Sequence, residues 1–224
     1  MRTIIQLTLL VLISLALSGC STVSLGVGQL RGSGNVTTET HEVGAFSAID
    51  VSGVGKVVIT QGDTDGLLVE TDDNLQAIVR GEVRGDTLFL GIKPNVSLGS
   101  ATRLTFAVTV QDLTAISLSG AAAISALNLN GDQLAVDHSG AGTVTVGGTV
   151  MEQDVTLSGA GSYDGAALAS ERATVDLSGL GNVVVNVSER LDATLSGAGS
   201  ITYIGSPALH EQVTGLGSIR QRAP

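Results

Sequence analysis

The side chains able to do chemistry in this sequence are mostly carboxylates. Asp63 and Asp65 lie in QGDTDG (61–66), and Asp72 and Asp73 in TDDN (71–74). Carboxylates on such turns can coordinate Ca²⁺ through oxygen. Neither segment completes an EF-hand loop, no GGxGxD calcium repeat occurs, and Asp and Gly are ordinary turn residues. No metal site is assigned. Asp50, Asp137 and Asp176 share one position of a repeat described below. Two carboxylates at a suitable separation could hydrolyse a glycosidic bond, but few basic residues accompany them, and a solvated polar face is the preferred reading. His41 and His210 are isolated, and no pair of the three histidines has metal-ligand spacing. His138 stands where other repeats have an apolar residue, so it is either buried or marks an irregular strand. The recurrent SGxG is not the GxSxG nucleophile elbow, and no Lys or helix follows it to make a phosphate loop. No catalytic residue and no cofactor is assigned.

Composition narrows the classes further. The 224 residues include 21 acidic and 11 basic side chains, for a net charge of −10, and aromatics are only 2%. Such a chain lacks both the basic footprint and the stacking platforms of a nucleic-acid binder. With 43% hydrophobic and 14% charged residues it is not a disordered chain. One Cys excludes an internal disulfide framework and any Cys-based zinc site. The 30 glycines have no three-residue period, which excludes collagen.

That one Cys has an address of its own. Arg2 precedes an almost wholly apolar run from Ile4 to Leu17, the layout of a secretory signal and shorter than the ~20 residues a membrane span usually needs. The run ends Leu17-Ser18-Gly19-Cys20. This resembles the lipobox of bacterial lipoproteins. The resemblance implies a signal peptide at 1–19, cleavage before Cys20, and a lipid on Cys20 that attaches the chain to a membrane. Ser21 rather than Asp at the next position implies outer-membrane sorting. Residues 20–30 read as a flexible tether.

The elements that position everything else come from a repeat. SGAG occurs at 139–142, 158–161 and 196–199, SGLG at 178–181 and TGLG at 214–217, with SGAA at 119–122 and SGVG at 52–55. The first Gly falls at 120, 140, 159, 179, 197 and 215, a spacing of 18–20 residues. Two residues before it stand Leu118, His138, Leu157, Leu177, Leu195 and Val213. Four before it stand Ile116, Val136, Val155, Val175, Ala193 and Glu211, with polar residues between. Apolar residues return four after the Gly at Ile124, Val144, Tyr163, Val183, Ile201 and Ile219. Alternation of period two predicts strands with one buried face. One such unit cannot bury its own stripe, but stacked units can. The expected fold is all-β: a parallel β-helix, a solenoid of 18–20-residue coils, with Ser and Thr as an outward hydroxyl ladder and the glycines at a corner too tight for a side chain.

Residues 31–117 repeat less cleanly than 118–220. They are expected to form either larger coils with excursions or a β-structured cap, since solenoid ends must be protected. At the other end, Glu211 and Arg220-Gln221-Arg222 suit a terminal coil.

GSGN (32–35), FSAIDVSGVGKVVITQG (46–62) and then the LSGAG units occur in that order. The combination resembles the bacterial head GIN domain family, described as autotransporter adhesin heads (DUF2807), over about 31–220. The resemblance implies a β-helical secreted or lipid-anchored domain and brings no catalytic signature. The functional expectation is a non-enzymatic, lipid-anchored cell-envelope protein, an outer-membrane lipoprotein presenting its surface to a glycan or protein ligand. A carbohydrate-active β-helix enzyme and a self-assembling periplasmic module are the alternatives. No nucleic-acid partner is expected, and the oligomeric state is left open.

Overall fold

The computed structural model describes residues 29–99 and 103–223. The expected signal peptide, the lipidated Cys20 and the first part of the tether lie outside the described residues.

The chain is a β-solenoid. Its strands are β1 (Val36–His41), β2 (Ala48–Val51), β3 (Val54–Gln61), β4 (Gly66–Asp72), β5 (Val79–Arg84), β6 (Thr87–Ile92), β7 (Leu104–Val110) and β8 (Ala115–Leu118). Then come β9 (Ala121–His138), β10 (Ala141–Leu157), β11 (Ala160–Leu177), β12 (Leu180–Leu195), β13 (Ala198–Ile204), β14 (Ala208–Val213) and β15 (Leu216–Gln221). A 3-10 turn at Asp73–Ile78 interrupts them. From β8 onward each coil pairs in parallel with the next. Like therefore stacks on like. The inward columns foreseen from the alternation are buried: Leu118, Leu157, Leu177 and Leu195 are fully enclosed, and so are Val144, Val183 and Ile201.

Each coil turns at SGxG, and the geometry explains the first glycine. A Cβ on Gly140, Gly159, Gly179, Gly197 or Gly215 would collide with the carbonyl oxygen of the equivalent Gly one coil below. The clash is with backbone, so nothing can move aside. Two amides share one carbonyl at each corner: Ser178 N and Gly179 N both donate to Leu157 O, at 3.0 and 2.9 Å. Leu180 N then donates to Gly159 O at 2.8 Å, and the pattern recurs coil after coil.

Each long strand also bends at a second corner. Val146 pairs with Ala126, but Gly148 pairs with Leu129. Thr145 pairs with Asp164, but Gly147 pairs with Ala167. Gly165 pairs with Val185, but Ala169 pairs with Asn186. The variation in coil length is absorbed at this corner by bulges, while the SGxG corner keeps its register.

The first half combines both expected arrangements and permutes the strand order. β2 lies between β6 and β8, and β3 between β7 and β9, all in parallel. The coil made by β2 and β3 is thus sandwiched by a coil that comes later in sequence. The excursion between them forms a cap: β4 runs antiparallel on the outer edge of β7, β1 antiparallel on β4, and β5 antiparallel on β6. The C-terminal end is different. β14 pairs only with β12, and β15 only with β13, so both end on free edges. Leu209, Glu211 and Val213, which face inward in earlier coils, are exposed there.

Candidate ligand-binding face

One flat face of the solenoid carries the aspartates singled out above. Strand pairing sets its outward side chains in rows along the axis, about 4.8 Å per coil. One row runs Phe89, Asp50, Ser117, Asp137, Thr156, Asp176, Thr194, Gln212. Its neighbour runs Thr87, Ala48, Ala115, Ala135, Asp154, Thr174, Asp192, His210. From Asp137 onward, Asp and Thr alternate in both rows and out of phase. Two carboxylates directly stacked at coil spacing would repel by about 1 kcal/mol in bulk water and more beside a protein surface. The checkerboard puts them on diagonals of about 8 Å instead. The alternation of Asp and Thr along each row thus has a structural cause. Beside it, Arg190 forks onto Asp192 at 2.7 and 3.1 Å and holds that carboxyl below the usual range.

The N-terminal part of this face is concave. Ala48, Ala115 and Ala135 in successive coils leave a floor without bulk, bounded by Thr87 and Phe89 at one end and Asp154 and Thr156 at the other. The notch has a volume of about 410 Å³. Asp50 and Asp137 border it with Ser117 between them. Burial raises the Asp50 carboxyl above its ordinary value, against the opposing pull of the Ser117 hydrogen bond and the Arg80 charge. Arg84 lies 5.7 Å from the centre of the Phe89 ring, a cation–π distance. Glu82 holds both Arg80 and Arg84, at 2.5 and 2.8 Å.

The other candidate carboxylates have structural employment. Asp73 accepts from Ser33 Oγ at 2.5 Å and from Asn35 Nδ2 at 2.9 Å, and Asp72 accepts from Gly34 N at 2.7 Å. These bonds clasp GSGN onto TDDN and hold the Asp73 carboxyl below its usual range. Asp65 accepts from Gln111 N at 2.9 Å and fixes its turn, while Asp63 lies exposed. Among the described residues no group of three or more His, Cys, Asp or Glu could hold a metal ion.

His138 is buried in a regular strand between Leu118 and Leu157, and neither ring nitrogen has a partner. Nearby, an interior polar chain escaped sequence reasoning. Tyr163 Oη donates to Gln153 Oε1 at 3.1 Å, Gln153 Nε2 donates to Ser170 Oγ at 2.7 Å, and Ser170 Oγ donates to Asn186 O at 3.0 Å. Burial pushes the Tyr163 phenol far upward, so it stays protonated and keeps the hydrogen it donates to Gln153. Gly165 makes room for its ring: a Cβ there would lie 2.7 Å from Tyr163 Cε1. His41 lies on β1, and His210 is exposed on β14.

Sequence reasoning brought Asp50 and Asp137 to one row but missed the notch. Phe89 belongs to a coil out of chain order. The alanines were legible five residues before the repeat Gly, as Ala115 and Ala135, a column the repeat reading did not use.

Residues 45–207 match the family model described as "Putative auto-transporter adhesin, head GIN domain". A solved structure described as "a putative adhesin", from Bacteroides fragilis, is 25% identical with a TM-score of 0.74, covering 86% of this chain and 100% of that one. A "putative adhesin" from Parabacteroides distasonis is 20% identical, with a TM-score of 0.55, covering 87% of this chain and 100% of its own. A "Putative lipid binding protein" from the same species is 22% identical, with a TM-score of 0.50, covering 87% and 99%. The last two show a shared fold alone. No curated protein matches the chain.

Proposed function

The chain belongs to the head GIN domain family of "putative auto-transporter adhesins", and from that premise we propose that it is a non-enzymatic, lipid-anchored adhesion module of the bacterial cell envelope. Cys20 carries the lipid, and residues 20–30 tether a domain of 31–220 to an outer membrane. The observation that carries this reading is the placement of the face relative to the chain's entry. Leu30 bridges to Leu98 at the capped end. Eight strands then extend the flat face away from that end, roughly 35 Å at coil spacing. A domain so attached holds a long polar surface outward, where a partner can meet it. No helix among the described residues is long and apolar enough to cross a membrane.

The test compares cells expressing the chain with cells expressing Cys20→Ala. The chain is expected in the membrane fraction, cleavable by protease added to intact cells, and able to promote adherence to glycan- or matrix-coated surfaces. Cys20→Ala is expected to leave the membrane fraction and abolish adherence. Protection from protease until the outer membrane is opened would sink the adhesion reading.

One observation favours an enzymatic alternative. Asp137 and Asp154 are diagonal neighbours in adjacent rows of successive coils, two carboxylates can together hydrolyse a glycosidic bond, and Asp50 has a raised proton affinity. The carboxylates stand on an open face, however, with no groove deep enough to exclude water. Polysaccharide turnover that disappears in Asp50→Asn and Asp137→Asn would establish the enzyme instead.

A further inference from the structure

We infer that the alanine-floored notch is a glycan subsite that takes a neutral hexopyranose unit, an inference that rests on the adhesion reading and names its ligand class. The notch lies in the middle of a continuous sheet. β2 and β8 are each paired on both sides, so no free backbone edge is available for strand addition by a peptide. Recognition must therefore come from side chains. The floor, Ala48, Ala115 and Ala135, offers aliphatic surface, and the half-exposed Phe89 ring rises at one end. A pyranose has an apolar C–H face that such a surface covers, and a ring of hydroxyls around it. Asp50 and Asp137 border the floor as acceptors, with Ser117 and Thr156 hydroxyls able to accept or donate. This combination of a mostly apolar floor with a few convergent polar groups is the general form of a small-molecule site.

The same residues select against other ligands. Asp50, Asp137 and Asp154 repel an acidic sugar, while Arg80 and Arg84 are both engaged by Glu82. A bound cation is disfavoured because the carboxylates are spread along the coil spacing rather than gathered. The notch is open along the solenoid axis, and Asp154, Thr174 and Asp192 continue its floor row. A glycan chain can therefore run on past the bound unit.

The test titrates the purified full chain, in detergent micelles, with neutral tetrasaccharides of glucose, mannose, galactose and N-acetylglucosamine. Tetramers of galacturonic acid and of glucosamine serve as anionic and cationic comparisons. At least one neutral tetrasaccharide is expected to bind. Filling the floor with Ala115→Leu is expected to weaken it at least tenfold, and Phe89→Ala to weaken it measurably. Thr143→Ala, exposed at the start of β10 beyond the SGxG corner and off this face, is expected to leave affinity unchanged. Phe89→Ala also serves should Ala115→Leu fail to fold, which circular dichroism reports. Absence of neutral-sugar binding at millimolar concentration, binding of a charged tetramer only, or binding indifferent to the notch variants overturns the inference. Cells that still adhere when carrying Ala115→Leu would overturn the notch as the adhesive site while leaving the adhesion reading intact. Oligosaccharide binding by a chain that gives cells no adherence would do the reverse.

Discussion

Single residues here are judged by what the coil below and the coil above leave them. His138 is the clearest case. It takes a place that Leu118, Leu157, Leu177 and Leu195 fill in other coils, and both its nitrogens are buried without partners. Burial lowers its pKa below 6.5, opposed only by the neighbouring Asp137 charge. The unfolded chain therefore binds a proton more readily than the folded one. Stability attributable to this residue is intact above about pH 6.5 and is lost as pH falls from there towards the depressed folded value. His138→Leu is expected to raise stability by about 1–3 kcal/mol, by removing unsatisfied buried nitrogens. It is also expected to flatten the dependence between pH 5 and 7. Urea midpoints of the two proteins across that range check both statements, and equal slopes would refute the assignment.

Strands and corners form the next scale. A free parallel edge with apolar residues invites pairing with another chain. At the C-terminal end the inward column that holds Val136, Val155, Val175 and Ala193 finishes with Glu211. A second copy stacked there would bury that carboxylate in an apolar column, at a large cost. Glu211→Val is therefore expected to increase concentration-dependent self-association in sedimentation velocity. An unchanged sedimentation coefficient up to about 100 µM would show that the edge is blocked by something other than Glu211. This element was legible in the sequence because Glu211 broke a column already defined by five preceding repeats. The SGxG corners were legible for the same reason: one residue type is forced at one place in every coil by a backbone clash. The second corner was not, because its work is done by Asn128, Gly148 and Gly205 at positive φ in three coils and by bulges without a shared residue elsewhere. The GSGN–TDDN clasp and the Tyr163–Gln153–Ser170 chain were also out of reach. Both join residues whose proximity depends on stacking, and polar residues alone do not announce a partner. In the first half, short strands with neighbours distant in sequence gave no repeat to align.

The whole molecule is a stack in which each coil contacts chiefly its neighbours, so local stability adds roughly coil by coil. One end has the antiparallel cap and the GSGN clasp, and the other has exposed strands on single partners. Amide exchange is expected to be slowest in β9 to β11 and fastest in β14 and β15, with β13 between. Exchange followed by mass spectrometry checks this gradient; equal protection of β10 and β14 would mean that the stack opens only as a unit.

The permuted order of the first coils also governs how the chain can acquire its shape while it is being made. Synthesis delivers residue 48 before residue 87, yet the coil of β2 and β3 needs β6 and β7 on one side and β8 and β9 on the other. A zipper started at the N-terminus therefore stalls, because the earliest coil waits for a later one to slide beneath it. From β8 onward the order of synthesis and the order of stacking coincide, and each coil can be laid on the last as it emerges. The span 48–110 is thus the template, to be completed as a single unit, and the SGxG coils are laid upon it one at a time.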